Sequence, residues 1–366
     1  MAETNERGDD QKTSTVFRIL DANTNRAAEA CRVIEDFCRF SLADKPLSES
    51  AKQIRHDIRA ITNQLAERQQ FPLLATRDTD QDVGTQIEVD EKLARCSVTD
   101  VVSANFSRLQ ESLRVLEEYS KILDSDSATI FESVRYETYQ IQKTLFHLIR
   151  ARELLGNCFL CVLTDAADSA PALSDRISML ISAGVDMLQL RDKRLEDREL
   201  LERALLVREL TGNGPTIFVV NDRPDICMLA NADGVHVGQG DLSVSAARRI
   251  VGQKLVGVST HSLVQAELAV RSGADYIGVG PMFASQTKRF DQLEGCQLLH
   301  HVMSQITLPA FAIGGINADN IESIVQNGGR RAAVSAGVLH ADDPVSAARQ
   351  IRQTLVAATE TKTDAK

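Results

Sequence analysis

The sequence lacks the features that mark several large classes of protein. No apolar run approaches the ~20 residues of a membrane-spanning helix, so we expect no membrane partner. The 41 lysines and arginines are outnumbered by 51 aspartates and glutamates, and the net charge of −10 argues against nucleic acid as a partner. The polar opening MAETNERGDDQKTST contains no apolar secretory segment. We therefore expect a cytoplasmic protein.

The chain also lacks obvious covalent machinery. Its seven cysteines are scattered, and Cys158 and Cys161 have the CxxC spacing of some metal and redox sites. These two fall in a strand-like run, where residues three apart point to opposite faces, so we expect buried, reduced thiols instead. No Ser–His–Asp set, Cys–His set or phosphate-binding P-loop stands out. The sequence thus shows no sign of a side-chain nucleophile.

Length and patterning divide the chain into two parts. The 366 residues are too many for one average domain. Residues 15–150 show helical patterns without convincing strands, whereas strands and helices alternate over 151–357. This predicts an α/β protein in which an all-α domain precedes a (β/α)₈ TIM barrel. The polar segments 1–14 and 358–366 are expected to be disordered.

An internal repeat dominates the helical part. The pattern A-N-x-x-R-x-x-E-x-x-R-V-x-E begins at Ala22 and, with identical spacing, again at Ala104, 82 residues later. A second helical segment follows each copy, near Gln53–Leu65 and near Phe131–Ile149. We therefore predict two helical hairpins related by a pseudo-two-fold axis.

The repeated polar residues have two interpretations. Steps of three residues let Arg26 pair with Glu29, and Arg32 with Glu35, on the helix surface. Exposed pairs stabilise by only ~0–1 kcal/mol, which does not explain why the same residues recur. Alternatively, asparagine and arginine near both helix starts face each other across a polar cleft. The Asp-rich loop 75–85 would then cover that cleft, or it only links the two copies.

In the second part, polar residues gather where predicted strands end, which is where such barrels carry their chemistry. The eight predicted strands are Phe159–Leu163, Met187–Leu190, Ile217–Val220, Gly234–Val237, Leu255–Val258, Tyr276–Val279, Ala310–Ile313 and Ala332–Ser335. Asp222 and Asp241 follow the third and fourth strands, and paired carboxylates suit a hard cation such as Mg²⁺. A helix cap at Asp222 and a turn at Asp241 explain the same residues equally well.

Glycines and hydroxyl groups at other strand ends predict a phosphate site. Gly314 and Gly315 end the seventh strand, where backbone N–H groups of such barrels often bind phosphate. A plain turn would explain these glycines but not the hydroxyl-bearing Ser285 and Thr287 after the sixth strand. His261, after the fifth strand, fits a structural role as well as an acid–base role.

Basic residues predict a second, larger anion. Arg191, Lys193 and Lys288 each follow a strand end and, with Mg²⁺ on the aspartates, balance the charge of a pyrophosphate ester. Each cation taken alone is explained by a solvated loop. Their convergence on one end of the barrel favours a shared site.

These segments together resemble thiamine phosphate synthase. The matching pieces cover the barrel: QLRDK at 189–193, VVNDRPDI at 219–226, ADGVHVGQGD at 232–241, VGVSTHS at 256–262, GADYIGVGPMFASQTK at 273–288 and AIGGI at 312–316. The resemblance implies a transferase of thiamine biosynthesis. Such an enzyme joins hydroxymethylpyrimidine pyrophosphate to a thiazole phosphate with Mg²⁺. A related barrel that only isomerises the thiazole phosphate, and a ligand-binding barrel without turnover, are the alternatives.

The resemblance also implies roles for individual residues. Those implied to hold the pyrimidine pyrophosphate are Gln189, Arg191, Lys193, Asn221, Ser259 and Lys288. Of these, the ones implied to act on the reacting groups are Arg191, Lys193, Ser259 and Lys288. Asp222 and Asp241 are implied to bind Mg²⁺. Those implied to hold the thiazole phosphate are Ser285, Thr287, Gly315 and, from a looser alignment, Ser335. Ser285 stands where threonine is frequent, which keeps the hydroxyl group.

The helical repeat resembles a domain fused ahead of this synthase in some bacteria, which is proposed to phosphorylate hydroxymethylpyrimidine phosphate. A kinase needs ATP, Mg²⁺ and positive charge for phosphates. The sequence offers that charge at Arg26, Arg32, Arg108 and Arg114. Asp78 or Asp82 would lie near the metal. The alternative is a structural module that pairs two copies of the chain in a homodimer.

Overall fold

The structure is a computed structural model that describes residues 2–73, 95–212, 214–283 and 295–363. The chain divides into two compact units, Met1–Leu145 and Phe146–Lys366. The predicted boundary after residue 150 falls inside a helix that spans this division. Five residues singled out in the sequence lie outside the described residues: Asp78, Asp82, Ser285, Thr287 and Lys288. No helix in the described ranges is both long and apolar enough to cross a membrane.

The first unit is helical throughout its described residues. It consists of α1 (Ala2–Asp36), a π-helical turn (Phe37–Ser41), α2 (Lys45–Arg68), α3 (Val98–Ser120) and α4 (Ser125–Leu155). The prediction of an all-helical first domain is therefore confirmed. Helix α1 begins at Ala2, so residues 2–14, which the sequence predicted to be disordered, are helical.

Side-chain caps set where the helices of this unit begin. Asp44 accepts the backbone N–H of Leu47 at 2.9 Å, which starts α2. Ser97 accepts the N–H of Asp100 at 3.0 Å, which starts α3. Each cap satisfies a backbone donor that the first helical turn leaves without an intrahelical partner. The two helical hairpins predicted from the repeat correspond to α1 with α2 and to α3 with α4.

Helices α1 and α3, which carry the two copies of the repeat, pack against each other. Ile34 and its counterpart Leu116 are both buried, as are Cys31 and its counterpart Leu113. Equivalent positions therefore bury equivalent apolar side chains. This is what two copies of one hairpin produce when they pack on each other.

The second unit is a closed barrel of eight parallel strands in sequence order, as the sequence predicts. The strands are β1 (Leu160–Thr164), β2 (Met187–Leu190), β3 (Ile217–Asn221), β4 (Gly234–Val237), β5 (Leu255–Thr260), β6 (Tyr276–Val279), β7 (Ala310–Ile313) and β8 (Ala332–Val334). The helices between and after them are α5 (Ala170–Ser182), α6 (Asp197–Thr211), α7 (Pro224–Leu229), α8 (Val244–Val251), α9 (Leu263–Arg271), α10 (Gly295–Gln305), α11 (Ile321–Gln326), α12 (Ala336–Leu339) and α13 (Pro344–Thr363). Helix α13 extends into the 358–366 segment that was predicted to be disordered.

The barrel interior changes from apolar to polar along the strands. Its apolar core contains Cys161, Met187, Val219, Leu255, Tyr276, Phe311 and Ala333. Alternate residues of a strand share a face. The polar residues Gln189 and Asn221 follow Met187 and Val219 by two residues, towards the C-terminal ends of β2 and β3. The core therefore forms the floor of a polar layer at the strand ends.

Gly257 makes room for the largest interior side chain. A Cβ atom at this position would lie 2.1 Å from the Tyr276 ring, closer than any real contact. The ring lies over Gly257 and meets Phe311 edge-on, with centroids 5.6 Å apart. Such edge contacts are favourable for aromatic pairs. Tyr276 also carries a hydroxyl group into the polar layer.

Candidate active site

Two aspartates form the centre of the strand-end site. Asp222 directly follows β3, and its backbone N–H donates to the carbonyl of His236 at 2.7 Å, which ties it to β4. Asp222 has φ +62°, a left-handed conformation that strains most residues and is often found at functional sites. Helix α7 begins after Arg223 without a side-chain cap. The interpretation of Asp222 as a helix cap is therefore wrong.

Asp241 closes a turn and also faces Asp222. Its Oδ2 accepts the N–H of Gly238 at 2.7 Å, so it closes the turn after β4. Its carboxylate also meets that of Asp222. Partial burial, followed by the contact with Asp241, raises the pKa of Asp222. Burial opposes ionisation of Asp241 too, but contacts with Asp222 and the Gly238 N–H lower its pKa. The pair is a concentration of negative charge that attracts a cation.

Lys193 already contacts this pair. Its Nζ lies 3.1 Å from Oδ2 of Asp222, and its side chain is 60% exposed. The preceding Asp192 is turned the other way, with its side chain fully buried. It accepts the backbone N–H groups of Ala166 at 3.2 Å and of Arg194 at 2.8 Å. The hydrogen bond from the Arg194 side chain lowers the pKa of Asp192 to about 2. Asp192 thereby anchors the loop on which its neighbours Arg191 and Lys193 are exposed to solvent.

The donor set fits magnesium. Asp222 and Asp241 offer carboxylate oxygens, the ligands that Mg²⁺ prefers. Within the described ranges, no group of three or more His, Cys, Asp or Glu side chains is placed to hold a metal. An ion on this pair would take its remaining ligands from water and substrate. This is the usual arrangement for Mg²⁺ at phosphate-handling sites.

A buried histidine lies beneath the pair. His236 on β4 is fully enclosed, and burial lowers its pKa to about 4, so the ring is neutral at pH 7. Its Nε2 lies 3.0 Å from Oγ of Ser259, and its Nδ1 lies 3.3 Å from the hydroxyl of Tyr276. One ring nitrogen therefore donates and the other accepts. The sequence pattern did not single out His236, whose register partner on β3 is the predicted site residue Asn221.

Ser259, predicted to hold substrate, is fixed at two points. Its hydroxyl meets His236, and its carbonyl accepts Nε2 of Gln239 at 2.6 Å. Gln189, also predicted, is 4% exposed inside the barrel. Asn221 is half-buried at the end of β3. The structure thus brings these three polar side chains to the interior of one barrel end.

The glycine turn after β7 lies beside the segment that follows β6. Gly314 and Gly315 have φ +105° and +66°, which favour glycine. The carbonyl of Gly314 accepts the N–H of Phe283 at 3.0 Å. The carbonyl of Gly315 accepts Nδ2 of Asn320 at 2.9 Å. The described chain therefore reaches this turn at Phe283, two residues before the predicted hydroxyl loop, whose Ser285 and Thr287 are not described.

Other predicted residues occupy the same end of the barrel. Arg191 is exposed after β2, and Ser335 is exposed immediately after β8, before α12. His261 follows β5, and its Nδ1 lies 2.6 Å from the carbonyl of Gly280. This contact ties the ends of β5 and β6 together. Of the two roles open for His261, the observed contact matches the structural one.

The first unit contains a cavity of about 540 Å³ between α1 and α3, which we call the repeat cleft. Its lining residues are Asn23, Arg26, Glu29, Ala30, Asn105, Arg108, Glu111, Ser112 and Val115. The repeated asparagines and arginines therefore do line a polar cleft. Arg26 and Glu29, which the alternative interpretation paired, form no ion pair with any described residue.

The second half of each repeat forms ion pairs instead. Arg32 lies 3.4 Å from Glu35, and the equivalent Arg114 lies 2.7 Å from Glu117. Glu35 also pairs with Arg55 of α2 at 2.9 Å. In the other copy, Arg135 of α4 donates to Glu117 at 2.9 Å. These buried carboxylates tie the helices of each hairpin together, so the two interpretations of the repeat each apply to one half of it.

Comparisons with known proteins agree with this arrangement. The family model "Thiamine monophosphate synthase" matches residues 160–338, and the model "ThiD2 family" matches residues 18–144. A thiamine-phosphate synthase of Rhodopirellula baltica is 40% identical over 354 residues, which cover 94% of each chain. One of Nostoc punctiforme is 36% identical over 336 residues, covering 92% of this chain and 93% of the relative.

A solved structure supports the assignment of the barrel. The thiamine phosphate pyrophosphorylase from Pyrococcus furiosus is 29% identical, with a TM-score of 0.50, and the match covers 55% of this chain and 97% of that one. The relatives cover both units of the chain. The chain therefore belongs to the thiamine-phosphate synthase family, transferases of thiamine biosynthesis, with a ThiD2-family domain ahead of the synthase barrel.

Proposed function

We propose that the barrel joins hydroxymethylpyrimidine pyrophosphate to a thiazole phosphate. The bond between the pyrimidine methylene carbon and the pyrophosphate oxygen breaks, and pyrophosphate leaves with the electron pair. The thiazole nitrogen then bonds to the cation-like methylene carbon. No proton has to move in this exchange.

The observation that carries this proposal is the Asp222–Asp241 pair with Lys193 at 3.1 Å. Two carboxylates at neighbouring strand ends disfavour a bare anion, and a pyrophosphate group binds there only with a metal. When bound, Mg²⁺ would neutralise charge on the departing pyrophosphate. Lys193 is placed to move from the aspartate to the pyrophosphate because its side chain is mostly exposed.

The remaining residues divide by their place in the barrel. Arg191, like Lys193, is presented by the loop that Asp192 anchors, and we assign both to the pyrophosphate, together with Lys288. The interior side chains Gln189, Asn221 and Ser259 would hold the pyrimidine ring by hydrogen bonds. Because His236 is neutral and bonded to the Ser259 hydroxyl, it would set the orientation of that hydroxyl.

The thiazole phosphate is assigned to the other side of the same barrel end. Gly315 has the left-handed backbone that lets N–H groups converge on an anion. Ser285, Thr287 and Ser335 would add hydroxyl donors. This arrangement keeps the two phosphate-bearing substrates at separate strands, with the reacting atoms between them.

The test is coupling of the two substrates by the full chain. We expect thiamine phosphate and pyrophosphate to form with Mg²⁺, and formation to stop when a chelator removes the metal. Metal-independent isomerisation of the thiazole phosphate, without coupling, would instead identify a tautomerase-like barrel. Tight binding of the pyrimidine pyrophosphate without turnover would identify a ligand-binding barrel.

We propose further that the ThiD2-family unit phosphorylates hydroxymethylpyrimidine phosphate. The product of that step is the pyrophosphate ester that the barrel consumes, so the two activities follow one another. The polar repeat cleft supports this role because a purely structural pairing of α1 and α3 does not need a charged cavity. With ATP, Mg²⁺, pyrimidine monophosphate and thiazole phosphate, the full chain should form thiamine phosphate. Failure with the monophosphate, but success with the supplied pyrophosphate ester, would disprove the kinase step alone.

A further inference from the structure

A second cavity, of about 980 Å³, lies at the N-terminal ends of β3, β4 and β5, and we call it the basal cavity. Its walls are the last two turns of α4, the end of α6 and the segments that lead into these three strands. The volume is within the ~300–1,000 Å³ usual for small-molecule sites. The proposed coupling site lies at the opposite, C-terminal end of the strands. The basal cavity is therefore large enough for a ligand of its own and shares no lining residue with that site.

Aspartate–arginine pairs fasten the strands at this end of the barrel. Asp233, just before β4, accepts the backbone N–H of Phe218 at 2.7 Å and pairs with Arg208 at 3.0 Å. Equivalent pairs precede β2 and β6: Asp186 with Arg352, and Asp275 with Arg248. The charge of Arg208 is therefore used by the fold, although its side chain lines the basal cavity.

Arg150 of α4 and Lys254, just before β5, line the cavity without such partners. Nη1 of Arg150 donates to Oε1 of Gln253 at 2.9 Å. Nζ of Lys254 donates to Oδ1 of Asn231 at 2.9 Å and to the carbonyl of Ala232 at 2.6 Å. All of these acceptors are neutral, and neither cation forms an ion pair with a residue that the structure describes. The contacts therefore hold both cations in place without cancelling their charge.

The lining of the basal cavity consequently carries two positive charges in excess. Its described residues include three cations and one carboxylate, that of Asp233, whereas the whole chain has a net charge of −10. Donors also remain for a ligand. An ammonium group has three N–H donors, and Lys254 uses two of them within the described chain. A dianion would therefore gain charge-assisted hydrogen bonds here.

Apolar side chains complete the wall. Leu154, which is 48% exposed, lines the cavity together with Pro215 and Val251. Leu154 follows Arg150 by four residues, so the two share one face of α4. A small inorganic anion would leave this apolar surface in water. A ligand that joins a dianionic group to an apolar ring would cover both parts of the wall.

We infer that the basal cavity binds a phosphate monoester that carries an apolar ring, with Arg150 and Lys254 contacting the phosphate and Leu154 the ring. At neutral pH a phosphate monoester carries about 1.5 to 2 negative charges, which matches the two cations that lack a carboxylate partner. This site is independent of the coupling and kinase activities, because neither proposal uses a residue of the basal cavity.

The test uses phenyl phosphate as the probe and the full chain as the protein. Amide hydrogen exchange of residues 251–255 reports binding in the basal cavity, because probe bound at the other end of the barrel does not shield this segment. We expect exchange to slow, with a half-maximal effect at about 1 mM or below. Arg150→Gln combined with Lys254→Gln should weaken this binding at least about tenfold, as expected for lost hydrogen bonds to charged groups.

The matched control combines Arg249→Gln with Arg271→Gln. These substitutions remove two exposed arginines from α8 and α9 at the same end of the barrel but outside the cavity lining. Affinity should change less than about twofold in the control, because exposed charges at a distance are largely screened. Circular dichroism should show unchanged helix content in both double variants.

Two further measurements keep the test independent of the Lys254 contacts. Arg150→Glu leaves those contacts in place but reverses one charge, and it should also weaken binding at least about tenfold. Benzoate has the same ring with a single charge and should bind at least about fivefold more weakly than phenyl phosphate. The site is disproved by unchanged exchange at about 10 mM phenyl phosphate, by undiminished binding in Arg150→Glu, or by an equal loss in the control. Equal affinity for benzoate would overturn the assignment of a dianion.

Discussion

The barrel mouth and the repeat cleft both gather polar side chains, but they obtain them in different ways. At the barrel mouth each strand contributes a different residue, such as Asp222 from β3 and Ser259 from β5. In the cleft, α1 and α3 contribute the same residues twice. The barrel site is therefore asymmetric by construction, whereas the cleft inherits a pseudo-two-fold axis.

This difference has a chemical consequence. An asymmetric site can place an acidic pair beside basic residues and offer different groups to each of the two proposed substrates. In the duplicated site each copy of the repeat contributes one arginine and one glutamate, so the positive and negative charges balance. The barrel mouth therefore combines an acidic pair with separate basic residues, whereas the charges that line the cleft offset one another.

The largest expected effect is on the barrel. Asp222→Ala removes one of two proposed metal ligands and should lower the coupling rate about a thousandfold, as for loss of a main electrostatic stabiliser. Thiazole phosphate affinity should stay nearly unchanged, because the glycine turn is at other strands. Rates come from steady-state coupling assays, and affinity from calorimetry.

The left-handed backbone of Asp222 requires a second variant. Asparagine tolerates φ +62° and keeps the side-chain shape, so Asp222→Asn tests charge without adding strain. A similar loss in both variants would assign the effect to the carboxylate. Near-normal coupling by Asp222→Asn would rule out a metal-binding role for this residue.

The second prediction sharpens the contrast between the halves of the repeat. Glu117→Ala leaves Arg135 buried without its partner and should lower the free energy of unfolding of the helical unit by about 3 kcal/mol. Glu111→Ala, on the same helix but facing the cleft, should change it by less than about 0.5 kcal/mol. Urea titration followed by circular dichroism measures both. Equal losses would mean that the cleft glutamate also stabilises the fold.

The third prediction concerns Lys288, which lies outside the described residues. Lys288→Ala should lower the coupling rate about a hundredfold if its charge stabilises the departing pyrophosphate. Added pyrimidine pyrophosphate should not restore the rate at saturation, since the effect is on the reaction step. A normal maximal rate would remove Lys288 from the site.

The smallest expected effect lies in the floor of the barrel. Tyr276→Phe keeps the aromatic packing but removes the hydroxyl that lies 3.3 Å from Nδ1 of His236. We expect a loss of about 1 kcal/mol in barrel stability, and coupling reduced less than about fivefold. Thermal unfolding and the coupling assay report the two quantities. A loss as large as that in Asp222→Ala would place the Tyr276 hydroxyl in the reaction itself.

Much of the barrel was predictable because its signals are local. Four strands, β2, β4, β6 and β7, have the predicted bounds. Of the others, β1 is shifted by one residue at both ends, and β3, β5 and β8 differ by one or two residues at the C-terminal end. Buried parallel strands are short runs of β-branched and apolar residues, and these stand out between amphipathic helices. Once the barrel was predicted, the polar residues after each strand could be assigned to the C-terminal end of the barrel. His236 was missed because its neighbours in GVHV are apolar and the strand was interpreted as core.

The helical part was harder to interpret. The repeat and its hairpins were visible as spacing, and the Arg32–Glu35 pair followed from helix geometry. Spacing along one helix does not tell which residues face a second helix. The same pattern therefore predicted surface pairs and a cleft, and both occur at different turns of α1 and α3.

The sequence by itself thus determined the two-part organisation, the closed order of the strands and the residues at their ends, because chain connectivity and residue periodicity encode them. The tertiary structure alone decided which polar groups meet. It brought Asp222 against Asp241 and Lys193, turned Asp192 inwards, and placed His236 between Ser259 and Tyr276. It also separated the cleft residues of each repeat from the ion-paired ones. These contacts join distant parts of the chain, and their burial and charge exist only once the elements pack.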